Sequence, residues 1–111
     1  MDNTCDPYCI VTCLDESHRT RTILKCNTHR QPHWDERIAI DVPSAESFTE
    51  AKVKIDLYDA EQFGADNFIA SVSQKVTDIE HEEGGALIQW FPLVNKDDEK
   101  VGEIKLEFHV Q

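Results

Sequence analysis

The sequence predicts an all-β fold in which two antiparallel sheets pack face to face. Short stretches alternate apolar and polar side chains with a period of two, the pattern of strands with one face buried and one wet. Polar turn sequences punctuate these stretches at short intervals. No stretch carries the 3.6-residue apolar period of a long amphipathic helix. Seven strands are counted on this basis in the 111 residues, which form a single domain with one core.

Residues 8–14 (YCIVTCL) are rich in β-branched side chains and run into a polar DESH turn. Residues 20–26 (TRTILKC) predict a second strand with basic side chains on it. The next stretch, NTHRQPHWDE, loses regularity around Pro32. Residues 37–42 alternate again, with Ile38, Ile40 and Val42 on one face, and residues 43–50 have the chemistry of a loop. Residues 51–58 alternate most cleanly, with Val53, Ile55 and Leu57 inward and Lys52, Lys54 and Asp56 outward. A strand over 68–76 leads into one helical turn over 77–83, ended by Gly84 and Gly85. Residues 86–92 form a short apolar strand and NKDDEK a charged turn. The last strand, 101–110, places Ile104, Leu106, Phe108 and Val110 on one face and Glu103, Lys105, Glu107 and His109 on the other. Trp34 and Trp90 are expected in or beside the core, and Tyr8 and Tyr58 in structural roles.

The formal net charge of −11, from 22 acids against 11 bases, argues against general nucleic-acid binding, which needs a basic face to replace counterions. It also opposes simple adhesion to anionic lipid unless bases are segregated from the acids. With no bilayer-spanning apolar run, no signal-peptide pattern and no Asn-x-Ser/Thr acceptor, a cytosolic location is expected. The four cysteines, Cys5, Cys9, Cys13 and Cys26, then read as buried thiols rather than disulfides. Cys26, His29 and His33 have a metal-like spacing, but the second pair of ligands that structural zinc takes is missing. No nucleophile elbow, P-loop, dinucleotide-binding glycine pattern or His-Glu-x-x-His occurs, so the domain is not expected to be an enzyme.

The most informative stretch is 57–71, LYDAEQFGADNFIAS. Asp59, Glu61 and Asp66, with the amide of Asn67, crowd one loop around the apolar tip Phe63-Gly64. Calcium is held by oxygen clusters of this kind, although Asp, Asn and Gly are equally the residues of a solvated turn.

Four motifs in order then resemble the C2 domain, the calcium- and lipid-binding β-sandwich family. Asp6-Pro7-Tyr8 is similar to its SDPY motif, and residues 31–36 (QPHWDE) to its Asn-Pro-x-Trp-Asn-Glu. Residues 58–68 resemble its third calcium loop, and Gln89-Trp90-Phe91-Pro92-Leu93 with Gly102-Glu103-Ile104 its last two strands. The resemblance implies a Greek-key sandwich that docks a protein onto membranes. It implies calcium ligands at Asp6, Asp59, Glu61 and Asp66 or Asn67, with Phe63 as the tip that enters lipid. It also implies a basic surface for anionic lipid made of Arg19, Arg21, Lys25, Arg30, Lys52 and Lys54.

Three departures qualify the ligand set. Glu61 and Asn67 stand where the family has Asp, which weakens calcium binding. The family's earlier first-loop Asp would precede Met1, and Asp2 is out of register. The family's first strand has no counterpart, so either this is a piece or the strand comes from elsewhere, such as a second copy in a homodimer. Two functions follow: a calcium-regulated peripheral membrane module, or a calcium-independent module that binds a protein or phosphoinositide.

Overall fold

The computed structural model describes residues 4–24, 26–27, 34, 36–42, 44–80 and 86–109. Eight strands and two short helices follow in the order β1 (Thr4–Cys5), β2 (Pro7–Cys13), β3 (Glu16–Arg19), β4 (Cys26–Asn27), α1 (Ala45–Glu50), β5 (Lys52–Asp59), β6 (Asn67–Lys75), α2 (Val76–Glu80), β7 (Ala86–Val94) and β8 (Lys100–His109). Six of the strands form an antiparallel sheet in the order β3-β2-β5-β6-β7-β8, and β1 pairs with β4. The fold is all-β, as the alternation predicts; where the sequence counts seven strands in all, the described residues hold eight, six of them in the larger sheet.

Pairing between β6 and β7 is reduced to Ser71 opposite Val94. At that seam the sheet turns over on itself, and the β7–β8 layer faces the β2–β5–β6 layer. Cys9, Ile55, Ala70 and Val72 from one layer meet Phe91 and Leu93 from the other in the core. Val11, Val53, Leu57, Ile104, Leu106 and Phe108 pack around them. Burying such side chains stabilises the fold by about 1.5–3 kcal/mol each. Cys9 and Cys13 are buried free thiols, and burial pushes the Cys9 thiol up to about 12.

The expected strand at residues 20–26 is displaced. Leu14 and Asp15 alone make the turn, with Leu14 at a φ of 54°, so the ladder starts at once with Cys13 opposite Glu16. The polar sequence after the turn suits a wet edge strand as well as a loop. The ladder then breaks, and Thr20 fills the gap: its hydroxyl accepts from the Cys9 N–H at 2.8 Å while its own N–H donates to the Cys9 carbonyl.

Residues 37–42 alternate but belong to no ladder among the described residues. Alternation makes a strand only beside a partner. Here Ile40 packs onto the Cys13, Ala51 and Val76 cluster, and the Asp41 N–H donates to the Glu16 carboxylate at 3.1 Å. The expected loop at 43–50 contains α1, whose Ser44 cap accepts from the Ser47 N–H at 3.0 Å.

A bulge between Leu57 and Tyr58 sets Leu57 against Ala70 but Tyr58 against Phe68. The extra residue, Ile69, packs onto the core while Phe68 turns outward. Trp34 packs against the core as expected, with its indole N–H buried and without a hydrogen-bond partner among the described residues. Trp90 does not: it lies 47% exposed on the outer face of β7, because Phe91 and Leu93 take the inward positions of that strand.

Candidate functional site

Antiparallel pairing of β2, β5 and β6 brings the acidic residues to one end of the sheet. Pro7 pairs with Asp59 and Asp59 with Asn67, so Asp6 and the loop 60–66 meet beyond the last rung. The carboxylates are tied to donors of the protein itself. Asp59 Oδ1 accepts from the Asp6 N–H at 2.9 Å, and the Ala60 N–H donates to the Asp6 carbonyl at 2.9 Å. Asp66 Oδ1 accepts from the Glu61 N–H at 2.9 Å, and its Oδ2 accepts from the Tyr8 hydroxyl at 2.5 Å. The Asn67 Nδ2 donates to Glu61 Oε1 at 2.8 Å.

This network decides the electrostatics of the loop. The Glu61 N–H and the Tyr8 hydroxyl hold the Asp66 carboxyl below its usual range, with Arg19 acting in the same direction. The same Asp66 bond and burial raise the Tyr8 phenol. An Asp at position 67 would set two carboxylates against each other where the amide now bonds to Glu61. Among the described residues no three His, Cys, Asp or Glu are gathered as a metal-binding group. The acidic side chains share one end of the sheet, and as placed Asp59, Glu61 and Asp66 are each engaged by donors of the protein itself.

At the tip of the loop Phe63 is 84% exposed. Gly64 beside it adopts a φ of 92°, a conformation that L side chains rarely take, with open space around its Cα. The tip is thus a tight turn that projects one aromatic ring into solvent.

Below the loop, the outer face of the sheet carries a row of stacked rings. The Arg19 guanidinium lies 3.8 Å from the Tyr8 ring centroid. Tyr8 stacks on Tyr58 at 5.5 Å, and Tyr58 meets Phe68 edge-on at 5.7 Å. Arg19 is therefore the cap of this ladder, and through Tyr8 it backs the loop. Further along the same face, Lys54 lies 3.7 Å from Asp56. Lys52 stands directly opposite Lys75. The two line a shallow cleft with Ser73, Gln74 and Asp78. Lys75 was not singled out by the sequence; only the β5–β6 register puts it beside Lys52. Arg21 follows β3, with its N–H donating to Glu36 Oε2 at 3.0 Å. Lys25 and Arg30 lie outside the described residues, as do His29 and His33 of the zinc-like spacing.

A sandwich with an acidic loop and aromatic tip at one end, and lysines along its outer face, is built as a binding module. Comparison with known proteins is specific on the class. The C2 domain family model matches residues 1–93, and the chain belongs to the C2 domain family, whose members commonly bind calcium and lipid. The probable Ras GTPase-activating-like protein ngap of Dictyostelium discoideum is 28% identical over 110 residues. The match covers 98% of this chain but 12% of that protein. Among solved structures, the calcium-bound pair of C2 domains, A and B, of Extended-Synaptotagmin 2 matches with a TM-score of 0.67 and 25% identity, over 93% of this chain and 34% of that one. The first, or A, C2 domain of RIM from Drosophila has the same fold, with a TM-score of 0.59 at 19% identity over 93% of this chain and 71% of that one. No helix among the described residues is long and apolar enough to cross a membrane.

Proposed function

We propose that this domain docks the protein that carries it onto anionic phosphate headgroups at a membrane surface, using the outer lysine face and without requiring calcium. The observation that carries this reading is the pairing of Lys52 with Lys75. Like charges directly opposite across two strands destabilise a sheet. Neither ammonium has a carboxylate within ion-pair distance among the described residues, although Asp78 lines the same cleft. A phosphate bridging the two removes the repulsion, and Lys54 two residues along extends the surface. Each base near an anionic surface contributes about 1 kcal/mol, which segregates attraction to one face of a chain with a net charge of −11. The loop fits this reading, because its carboxylates are already satisfied by Tyr8, Asn67 and backbone N–H groups.

The calcium-regulated reading is favoured by one observation, the 84% exposed Phe63 framed by Asp59, Glu61 and Asp66. It requires the carboxylates to leave their present partners. Co-sedimentation with phosphoinositide-containing and phosphatidylserine vesicles, in calcium and in chelator, separates the two. The expected result is pelleting with phosphoinositide vesicles in chelator, reduced about tenfold or more by the double substitution Lys52→Glu, Lys75→Glu. Pelleting in calcium alone, abolished by Asp59→Asn and untouched by the lysine changes, overturns the proposal in favour of the acidic loop.

A further inference from the structure

The strand β8 closes the sheet on one side but is itself left open. Among the described residues it pairs with β7 and with nothing else. An edge of ten residues presents a row of unpaired backbone groups, which is a template for another strand. The side chains show the same incompleteness. Phe91 and Leu93 on the inner face of β7 are buried, whereas Ile104, Leu106 and Phe108 on the inner face of β8 remain partly exposed. The apolar layer stops short on the open side of β8.

The charges along β8 say which strand fits. Its outer face reads Glu103, Lys105, Glu107, His109, all exposed and with the sign changing at every step from Glu103 to Glu107. Directly opposite residues of antiparallel strands share a face, so self-pairing can be tested register by register. Centred on Lys105, the pairing sets Glu103 against Glu107 of the second copy, twice. Centred on Ile104, it pairs Glu103 with Lys105 twice but sets Leu106 against Gly102, and it carries Phe108 past the bulge at Val101 to Lys100, whose ammonium lies on the outer face 3.1 Å from Glu103. Centred on Leu106, it sets Lys105 against Glu107 twice and Glu103 against His109 twice. On the inner face of that last register Leu106 meets Leu106 and Ile104 meets Phe108. That register pairs opposite charges on the outer face, and of the three it is the one that gives Ile104, Leu106 and Phe108 all apolar partners, covering the side chains that the single chain leaves half buried.

We propose that two copies of this chain associate through antiparallel β8–β8 pairing centred on Leu106, extending each sheet across the dimer. This goes beyond the docking function and stands independently of it. A dimer would also present two lysine faces to one surface, where linked sites reinforce each other's binding.

The test is a charge exchange read by sedimentation equilibrium on the full chain. Lys105→Glu places a carboxylate opposite Glu107 of the other copy, and Glu107→Lys places two lysines opposite each other. Each single variant is expected to weaken dimerisation about tenfold, since two symmetry-related contacts change from attraction to repulsion. An equimolar mixture of the two variants restores complementary pairs and is expected to dimerise as the natural chain does. So is the double variant Lys105→Glu, Glu107→Lys, in which the two signs are swapped. Both positions are exposed, so loss of the fold is not expected, and circular dichroism of each variant checks it. A natural chain that stays monomeric overturns the proposal and leaves the edge to a strand from another source. Single variants that dimerise unchanged, or a mixture that fails to recover, overturn the register.

Discussion

The two ends of the β2–β5–β6 layer are finished in opposite ways. At one end α1 and α2 lie side by side, the Val76 N–H donates to the Ala51 carbonyl at 3.0 Å, and Cys13, Ala51 and Val76 close a second apolar cluster under them. Ile79 of α2 is 2% exposed. At the other end carboxylates hold backbone N–H groups and a hydroxyl, and the outermost side chain is a solvent-exposed Phe63. Apolar closure is non-directional and strong, whereas each hydrogen bond contributes about 0.5–1.5 kcal/mol net and is sensitive to charge. The apolar end anchors the fold, and the polar end is the one that solution conditions can alter.

The largest expected effect tests the anchor. Ile79→Ala at the helical end is expected to lower stability by about 2–5 kcal/mol in urea unfolding, since the lost contacts leave a cavity. A cost below about 1 kcal/mol would mean that the helical end is as soft as the loop.

A smaller effect belongs to the loop. Tyr8→Phe is expected to cost about 1 kcal/mol through the lost Asp66 bond while the stacked rings remain. It also carries a pH signature. Asp66 is held below the usual carboxylate range in the fold, so its contribution is present above that range and is lost as pH falls through the folded value. Removing the Tyr8 hydroxyl takes away one of the two donors that depress it. The acid-side loss of Glu61 amide protection in hydrogen exchange is therefore expected at a higher pH in Tyr8→Phe. An unchanged profile would show that the Glu61 N–H alone sets the titration.

The smallest effect has the opposite sign. Leu14 sits at a φ of 54° in the β2–β3 turn near the helical end, where a bulky side chain is strained. Leu14→Gly is expected to raise stability by about 0.5–1 kcal/mol, read as an increase in Tm.

The same contrast marks how far the sequence could be read. β5 and β8 were legible because each has one wet face, so period-two alternation gives both the strand and its orientation. The position of β3 was not, because Glu16, Ser17 and His18 look like a loop until the two-residue turn at Leu14 and Asp15 is recognised. The alternation of 37–42 promised a strand, but pairing depends on a neighbour that no local pattern encodes. Trp90 was misplaced because composition favours burying an indole, while the phase of β7 is fixed by Phe91 and Leu93. In the candidate site, the acidic loop was visible as a cluster of residue types. Its internal bonds were not, since Tyr8 and Asp66 are 58 residues apart in sequence. The signal that a reader could have used for Lys75 was the β5–β6 register, inferable from the loop between them but for the bulge at Leu57 and Tyr58.

The ring ladder under the loop has an optical consequence. The chain has two tyrosines and two tryptophans. Both tyrosines, Tyr8 and Tyr58, stand in that ladder, one of them hydrogen-bonded to Asp66. Trp34 reports from the core and Trp90 from the outer face of β7. The near-ultraviolet tyrosine bands therefore belong to the acidic end, while indole emission belongs to the core and the β7 surface. Titrating a ligand while following both signals would reveal which end of the sandwich it touches, with no label attached to the protein.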